Sequence, residues 1–183
     1  MNKKCVLVTG SSIGLGASII RKYASMGYNT VITYNSHKDE AIKLQKEIKD
    51  KYNTESLVIK CDISKEEDIE NLKQEIINKF NKLDVLVNNA SIAIDTTFSD
   101  KTKENYMKIL EVNLVGTFLV SKIMSTIMND NSSIINISST NGIDTYYEYS
   151  LDYDSSKAGI INLSHNLANY LSPKIRVNTI CPG

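Results

Sequence analysis

Tyr153 and Lys157 stand four residues apart at the start of a stretch, Tyr153 to Leu171, that reads as a helix, so their side chains share one face. A phenol ordinarily titrates near about 10, poorly matched to proton transfer at neutrality. An ammonium about 4 Å away is worth roughly 4 kcal/mol at an effective dielectric of about 20, enough to change the phenol's proton equilibrium by about a thousandfold. Tyr-x-x-x-Lys alone marks only two neighbours on a helix. Ser139, fourteen positions earlier, follows an apolar run, and its hydroxyl can donate to a carbonyl oxygen on which charge develops. Alone it reads as a turn or capping serine. Taken together, the three side chains suit proton exchange with the oxygen of a carbonyl or alcohol.

A second chemical feature opens the chain. Thr9-Gly10-Ser11-Ser12-Ile13-Gly14-Leu15-Gly16 lies between an apolar run, Cys5-Val6-Leu7-Val8, and a helical pattern from Ala17 to Met26. A strand, a glycine-rich turn and a helix in that order make a phosphate site: glycine permits the tight turn and close backbone approach, and the helix presents free N–H groups and the positive end of its dipole. The bland alternative is a tight strand-to-helix turn.

These groups need elements to position them. Strand patterns recur at Thr30–Tyr34, Ser56–Cys61, Leu83–Asn88, Ser133–Ser138 and Lys174–Ile180. Between them lie helical patterns at Lys38–Lys51, from Ser64 to about Phe80 with Ser64 as N-cap and Glu67 three residues on, and one or two helices within Lys103–Met128. Alternating apolar strands and helices predict an α/β fold, a doubly wound parallel sheet covered on both faces. Ligands in such sheets sit beyond the carboxyl ends of the strands. That rule selects Gly10 to Gly16, Asn35-Ser36, Asp62-Ile63, Asn88-Asn89-Ala90, Ser138-Ser139 and Pro182-Gly183.

The 183 residues suit one domain, and 21 basic residues balance 21 acidic ones, so no global field favours nucleic acid or an anionic membrane. No apolar run approaches membrane-spanning length. Cys5, Cys61 and Cys181 are odd in number and widely separated, and His37 and His165 are the only imidazoles. Buried free thiols in a reducing, cytoplasmic setting fit better than a disulfide frame or a metal site.

Thr9-Gly10-x-x-x-Gly14-x-Gly16, Asp62, Asn88-Asn89-Ala90, Asn113, Ser139, Tyr153-x-x-x-Lys157 and Pro182-Gly183 together resemble the ordered motif set of the short-chain dehydrogenase/reductases, and they span the whole chain. The resemblance implies a Rossmann fold and hydride transfer between a nicotinamide cofactor and a carbonyl or secondary alcohol. It makes Tyr153 the general acid or base and has Lys157 lower the pKa of Tyr153 and hold the ribose. Ser139 then orients the carbonyl, and Asn113 anchors a proton-relay water. Gly10, Ser11, Ser12, Ile13, Gly14 and Gly16 become the pyrophosphate cradle, with Asn35, Ile63, Pro182 and Gly183 as further cofactor contacts. Asp62 is implied to accept from the adenine amino group, and Asn88, Asn89 and Ala90 to line the adenosine side. Ser91 stands where the family more often has glycine.

An NAD site usually places an acid at the end of the second strand. Thr33-Tyr34-Asn35-Ser36 has none, which favours NADP(H), with hydroxyls, amides and Lys38 to meet the 2′-phosphate. The resemblance is nearest the 3-oxoacyl-carrier-protein and acetoacetyl-CoA reductase branch, with fatty acid biosynthesis as the implied setting. Residues Ile127 to Asn131 carry no positive charge, against docking of an acidic carrier. The segment from Asp144 to Asp152, with Tyr146, Tyr147 and Tyr149, is expected to border the substrate cleft. Its acids, with Asp154, disfavour a polyphosphate substrate. Family members continue past Pro-Gly into a substrate loop and a last strand, so a C-terminally incomplete single domain of weak activity is expected, forming a homo-oligomer when full-length. The alternatives are a non-catalytic nucleotide-binding member of the same fold and a nucleotide-sugar epimerase.

Overall fold

A computed structural model describes residues 3–144 and 147–183. The strands are β1 (Cys5–Val8), β2 (Asn29–Tyr34), β3 (Ser56–Lys60), β4 (Leu83–Asn88), β5 (Met128–Ile137) and β6 (Ile175–Ile180). The helices are α1 (Gly14–Ser25), α2 (Lys38–Tyr52), α3 (Glu66–Phe80), α4 (Lys103–Leu110), α5 (Thr117–Ser125) and α6 (Leu151–Leu171). The sheet runs β3-β2-β1-β4-β5-β6, and every pairing is parallel. Strand order reverses between β1 and β4, which opens a crevice at their carboxyl ends. This is the expected doubly wound Rossmann architecture.

The helices follow from their apolar spacing. Ala17, Ile20 and Ala24 in α1, Ala41, Leu44 and Ile48 in α2, and Ile69, Leu72 and Ile76 in α3 recur at the spacing of one helical face, and all are buried. The α1–α2 face packs on Val6, Val8, Ile32 and Val85. The α3–α5 face packs on Leu7, Val31, Leu86 and Ile134. Strands sealed on both sides explain why β1 and β4 read as continuous apolar runs; each such side chain contributes about 1.5–3 kcal/mol on burial. Asn53 and Asn81 end α2 and α3 in the left-handed conformation, with φ of 51° and 67°.

Two local expectations are corrected. Ser64 does not cap α3: the helix begins at Glu66 after Lys65, and the Ser64 hydroxyl donates instead to Asp62 at 2.7 Å. The fifth strand starts at Met128, before the apolar run: Met128 pairs with Leu83 of β4, Ser132 pairs with Ile175 of β6, and Asn131 N–H reaches the Lys174 carbonyl at 2.9 Å. Between α4 and α5 the chain does not break but widens into a π-helical turn, Glu111–Gly116. Cys5 and Cys61 are buried free thiols, as expected, whereas Cys181 is only half-buried. Burial pushes the Cys61 thiol up to about 12 and raises Cys5 further, which makes both inert. Among the described residues no helix is long and apolar enough to cross a membrane.

Candidate functional site

The glycine turn is shaped by contacts to β2 and β4. Ser11 N–H donates to the Thr33 carbonyl at 2.9 Å and the Ser11 hydroxyl accepts from Thr33 N–H at 3.1 Å, so this side chain is turned into the sheet. Gly10, at φ +60°, lies so close to Ala90 that a Cβ would stand 2.9 Å from its Cα. A Cβ on Gly16 would meet the Asn89 amide and the Gly10 carbonyl at 2.7 Å. The Thr9 hydroxyl accepts from the N–H groups of Asn89 and Ala90, each at 3.0 Å. The Asn89 side chain in turn donates to the Thr9 and Gly10 carbonyls at 3.0 and 3.1 Å.

At α1 no side chain caps the helix and no acid occupies its first turn. Ala17 is the first residue of that turn with an intrahelical acceptor, the Ile13 carbonyl at 3.2 Å, so the N–H groups of Gly14, Leu15 and Gly16 are left without one, and Leu15 and Gly16 line the crevice. An uncapped, acid-free helix start of this kind fits a pyrophosphate. The crevice is a cleft of about 850 Å³ lined by Gly10, Ser12, Ile13 and Gly16 on one side and by Tyr34, Asn35, Ser36, His37, Asp62, Ile63, Asn89 and Ala90 on the others. The segments expected beyond β1 to β4 therefore converge. Asn88 does not line the cleft: it is buried, donating to Ser121 at 2.9 Å and to Asn136 at 2.8 Å, and only braces the strand. Oδ1 of Asp62 accepts from Ser64 N–H at 3.1 Å, which fixes the carboxylate at the cleft wall.

Ser139, Tyr153 and Lys157 meet beyond β5. Ser139 is extended, and its oxygen accepts from Asn141 N–H at 3.2 Å. Lys157 is 2% exposed; its ammonium donates to the Ile137 carbonyl at 3.0 Å and lies 5.3 Å from the centre of the Tyr153 ring. Burial lowers the Lys157 pKa to about 8. Burial also raises the half-buried Tyr153 phenol, an increase that Ser139 opposes by hydrogen bonding and that the Asp154 charge adds to. Lys157 is not among the groups that move the Tyr153 phenol, and its ammonium is directed to the Ile137 carbonyl.

Asn113 sits in the π-helical turn, fully buried. Its oxygen accepts from Ile92 N–H at 2.8 Å, and its amide donates to the Ile92 carbonyl at 3.0 Å and to Ser156 at 3.1 Å. The side chain thus ties the segment after β4 to α6. Pro182 and Gly183 follow β6 beside Thr140, whose N–H donates to the Pro182 carbonyl at 2.9 Å. Tyr146 lies outside the described residues. Asp152 does not border the cleft as an acid: it is fully buried and paired with Lys101. Sequence reasoning missed Lys101, and also Asn141, which bonds both Ser139 and, at 2.8 Å, Asp154. Among the described residues no group of three or more His, Cys, Asp or Glu is placed to hold a metal.

A glycine-cradled helix start at a switch point, with a phenol, amine and hydroxyl gathered beyond β5, suits a nucleotide-dependent oxidoreductase of the α/β type. The family model of the short chain dehydrogenases matches residues 4–183. The chain is 36% identical over 183 residues to a 3-oxoacyl-[acyl-carrier-protein] reductase of Aquifex aeolicus, covering 98% of this chain and 73% of that protein. It is 33% identical over 185 residues to an NADP-dependent mannitol dehydrogenase of Alternaria alternata, covering 98% and 70%. A short-chain dehydrogenase/reductase from Serratia marcescens superposes with a TM-score of 0.94 at 29% identity, covering 98% of this chain and 74% of that one. The chain belongs to the short-chain dehydrogenase/reductase family, near its 3-oxoacyl-carrier-protein reductase-like branch. It is an NAD(P)-dependent oxidoreductase.

Proposed function

We propose that residues 1–183 act as one NAD(P)-binding domain that interconverts a ketone and a secondary alcohol with NADP(H), a 3-oxoacyl thioester being the first substrate to test. The observation that carries this reading is the meeting of Ser139, Tyr153 and Lys157 at the end of β5. The cofactor, when bound, supplies or takes up the hydride at the carbonyl carbon. The chain's own groups handle the oxygen. The Tyr153 hydroxyl gives its proton to that oxygen in reduction and recovers one in oxidation. Burial raises the phenol above its ordinary value, favouring the protonated form from which reduction starts. The Ser139 hydroxyl donates to the same oxygen as charge develops. Lys157, whose ammonium lies 5.3 Å from the ring centre, stabilises the negative charge left on the phenolate once its proton has gone to the substrate oxygen. Gly14, Leu15 and Gly16 would hold the pyrophosphate through backbone N–H groups, Asp62 and Ile63 would flank the adenine, and Lys157 would reach the ribose.

NADP(H) is preferred because Asn35, Ser36 and His37 line the cleft at the end of β2 without a carboxylate, and the mannitol dehydrogenase relative is NADP-dependent. The 3-oxoacyl class rests on the Aquifex aeolicus relative. The exposed apolar residues Met107, Val115 and Phe118 support self-association, and the buried free thiols support a reducing cytoplasm. The test is NADPH oxidation at a panel of ketones and 3-oxoacyl thioesters. Turnover that requires Ser139 and Tyr153 supports the reading; no consumption with any carbonyl, under conditions where NADPH binds, overturns it.

A further inference from the structure

One buried ammonium joins three segments around the proposed proton donor. Lys101, in the segment between β4 and α4, donates to the Ile94 carbonyl at 2.8 Å, to the Tyr149 carbonyl at 3.2 Å and to the Asp152 carboxylate at 3.0 Å. The two charged side chains are 5% and 0% exposed. The same Asp152 oxygen accepts the backbone N–H of Tyr153 at 2.9 Å. Taking two charges out of water is costly, and replacing such a pair by neutral groups often leaves stability unchanged. A buried pair one residue from the reacting phenol therefore calls for a role other than stability.

We propose that Lys101 is a positioning residue for Tyr153: through Asp152 it fixes the first turn of α6, and through Ile94 and Tyr149 it holds the two loops on either side of that turn. The proposal rests on reading Tyr153 as the proton donor. The Lys101 arm reaches the turn from the loop side. A second arm reaches it from within, from Ile92 through Asn113 to Ser156, whose hydroxyl donates to the Tyr153 carbonyl at 2.6 Å. Tyr153 is thus held at both its N–H and its carbonyl, while its ring is left free to meet substrate. Only the Lys101 arm carries charge.

The test uses Lys101→Met, Asp152→Asn and the double variant. Lys101→Met strands a buried carboxylate and is expected to lose stability. The double variant removes both charges of the pair, keeps an oxygen for the Tyr153 N–H, and is expected to regain the wild-type Tm. Its kcat should nevertheless stay at least about tenfold down, since small misplacements of a reacting group are enough for that, with KM and the NADPH Kd within about twofold. Asp152→Asn alone should show a smaller fall in kcat. In protein labelled at tyrosine Cζ, the Tyr153 resonance, assigned by its loss in Tyr153→Phe, should shift or broaden in the double variant. A double variant or an Asp152→Asn protein with wild-type kcat and an unmoved resonance overturns the proposal, as does a kcat that falls only in step with the folded fraction. If Tyr153→Phe itself turns over normally, the proton-donor reading fails instead, and the resonance still reports whether Lys101 places the ring.

Discussion

The Lys157 ammonium lies 5.3 Å from the centre of the Tyr153 ring and bonds the Ile137 carbonyl at 3.0 Å, not the phenol. The lysine is therefore held by β5, and the tyrosine hydroxyl is left to Ser139. Loss of the phenolic oxygen alone should abolish proton exchange without disturbing the fold. Tyr153→Phe is expected to lower kcat about a hundredfold or more, with the NADPH Kd unchanged in a fluorescence titration.

Lys157 also leaves a mark on stability. Its folded pKa of about 8 lies below the ordinary 10.5 because burial disfavours the charged form. Below about pH 8 the lysine is protonated in both states, and folding carries the full cost of the buried charge. Between about pH 8 and 10.5 the folded lysine gives up its proton while the unfolded one keeps it, so stability rises with pH. The total is on the order of 3 kcal/mol. Unfolding free energies of the wild type and Lys157→Met, measured across that window, should diverge in favour of the wild type as pH increases.

Gly14 and Gly16 make a contrasting pair. Gly16→Ala drives a Cβ to 2.7 Å from backbone and from the Asn89 amide, so a stability loss of about 1–3 kcal/mol and a sharp loss of NADPH affinity are expected. Gly14→Ala meets nothing within 4 Å and suffers only from its φ of +58°, for about 1 kcal/mol. Denaturant midpoints for the two variants check the order.

Asn35 follows β2 and lines the cleft. Asn35→Asp is expected to weaken NADPH by about tenfold or more through repulsion of the 2′-phosphate, with NADH binding held or improved. Parallel titrations with both cofactors measure the switch, and a wild type that binds NADH more tightly would refute the NADP(H) preference.

What could be read from the chain beforehand was whatever depends on local spacing. The turn from Thr9 to Gly16, the buried strands and the Tyr153–Lys157 face are all patterns within a dozen residues, and each formed as its spacing implied. The features that escaped depend on partners distant in sequence. Lys101 and Asp152 are 51 positions apart, and neither carries any local sign of burial. The Ser64 hydroxyl donates to the Asp62 carboxylate, and the helix begins only after Lys65, so the residue that reads as a cap stands outside it. The polar start of β5 joins the sheet through partners distant in sequence, Met128 beside Leu83 and Ser132 beside Ile175.

The Thr9 hydroxyl spans from the end of β1 to the N–H groups of Asn89 and Ala90, so two walls of the crevice are bolted together by the chain's own hydrogen bonds. A dinucleotide then meets a surface that has no ordering left to do. Its capture should be governed by the rate of encounter, and the loss of loop freedom that usually weakens binding should be small at this end of the molecule.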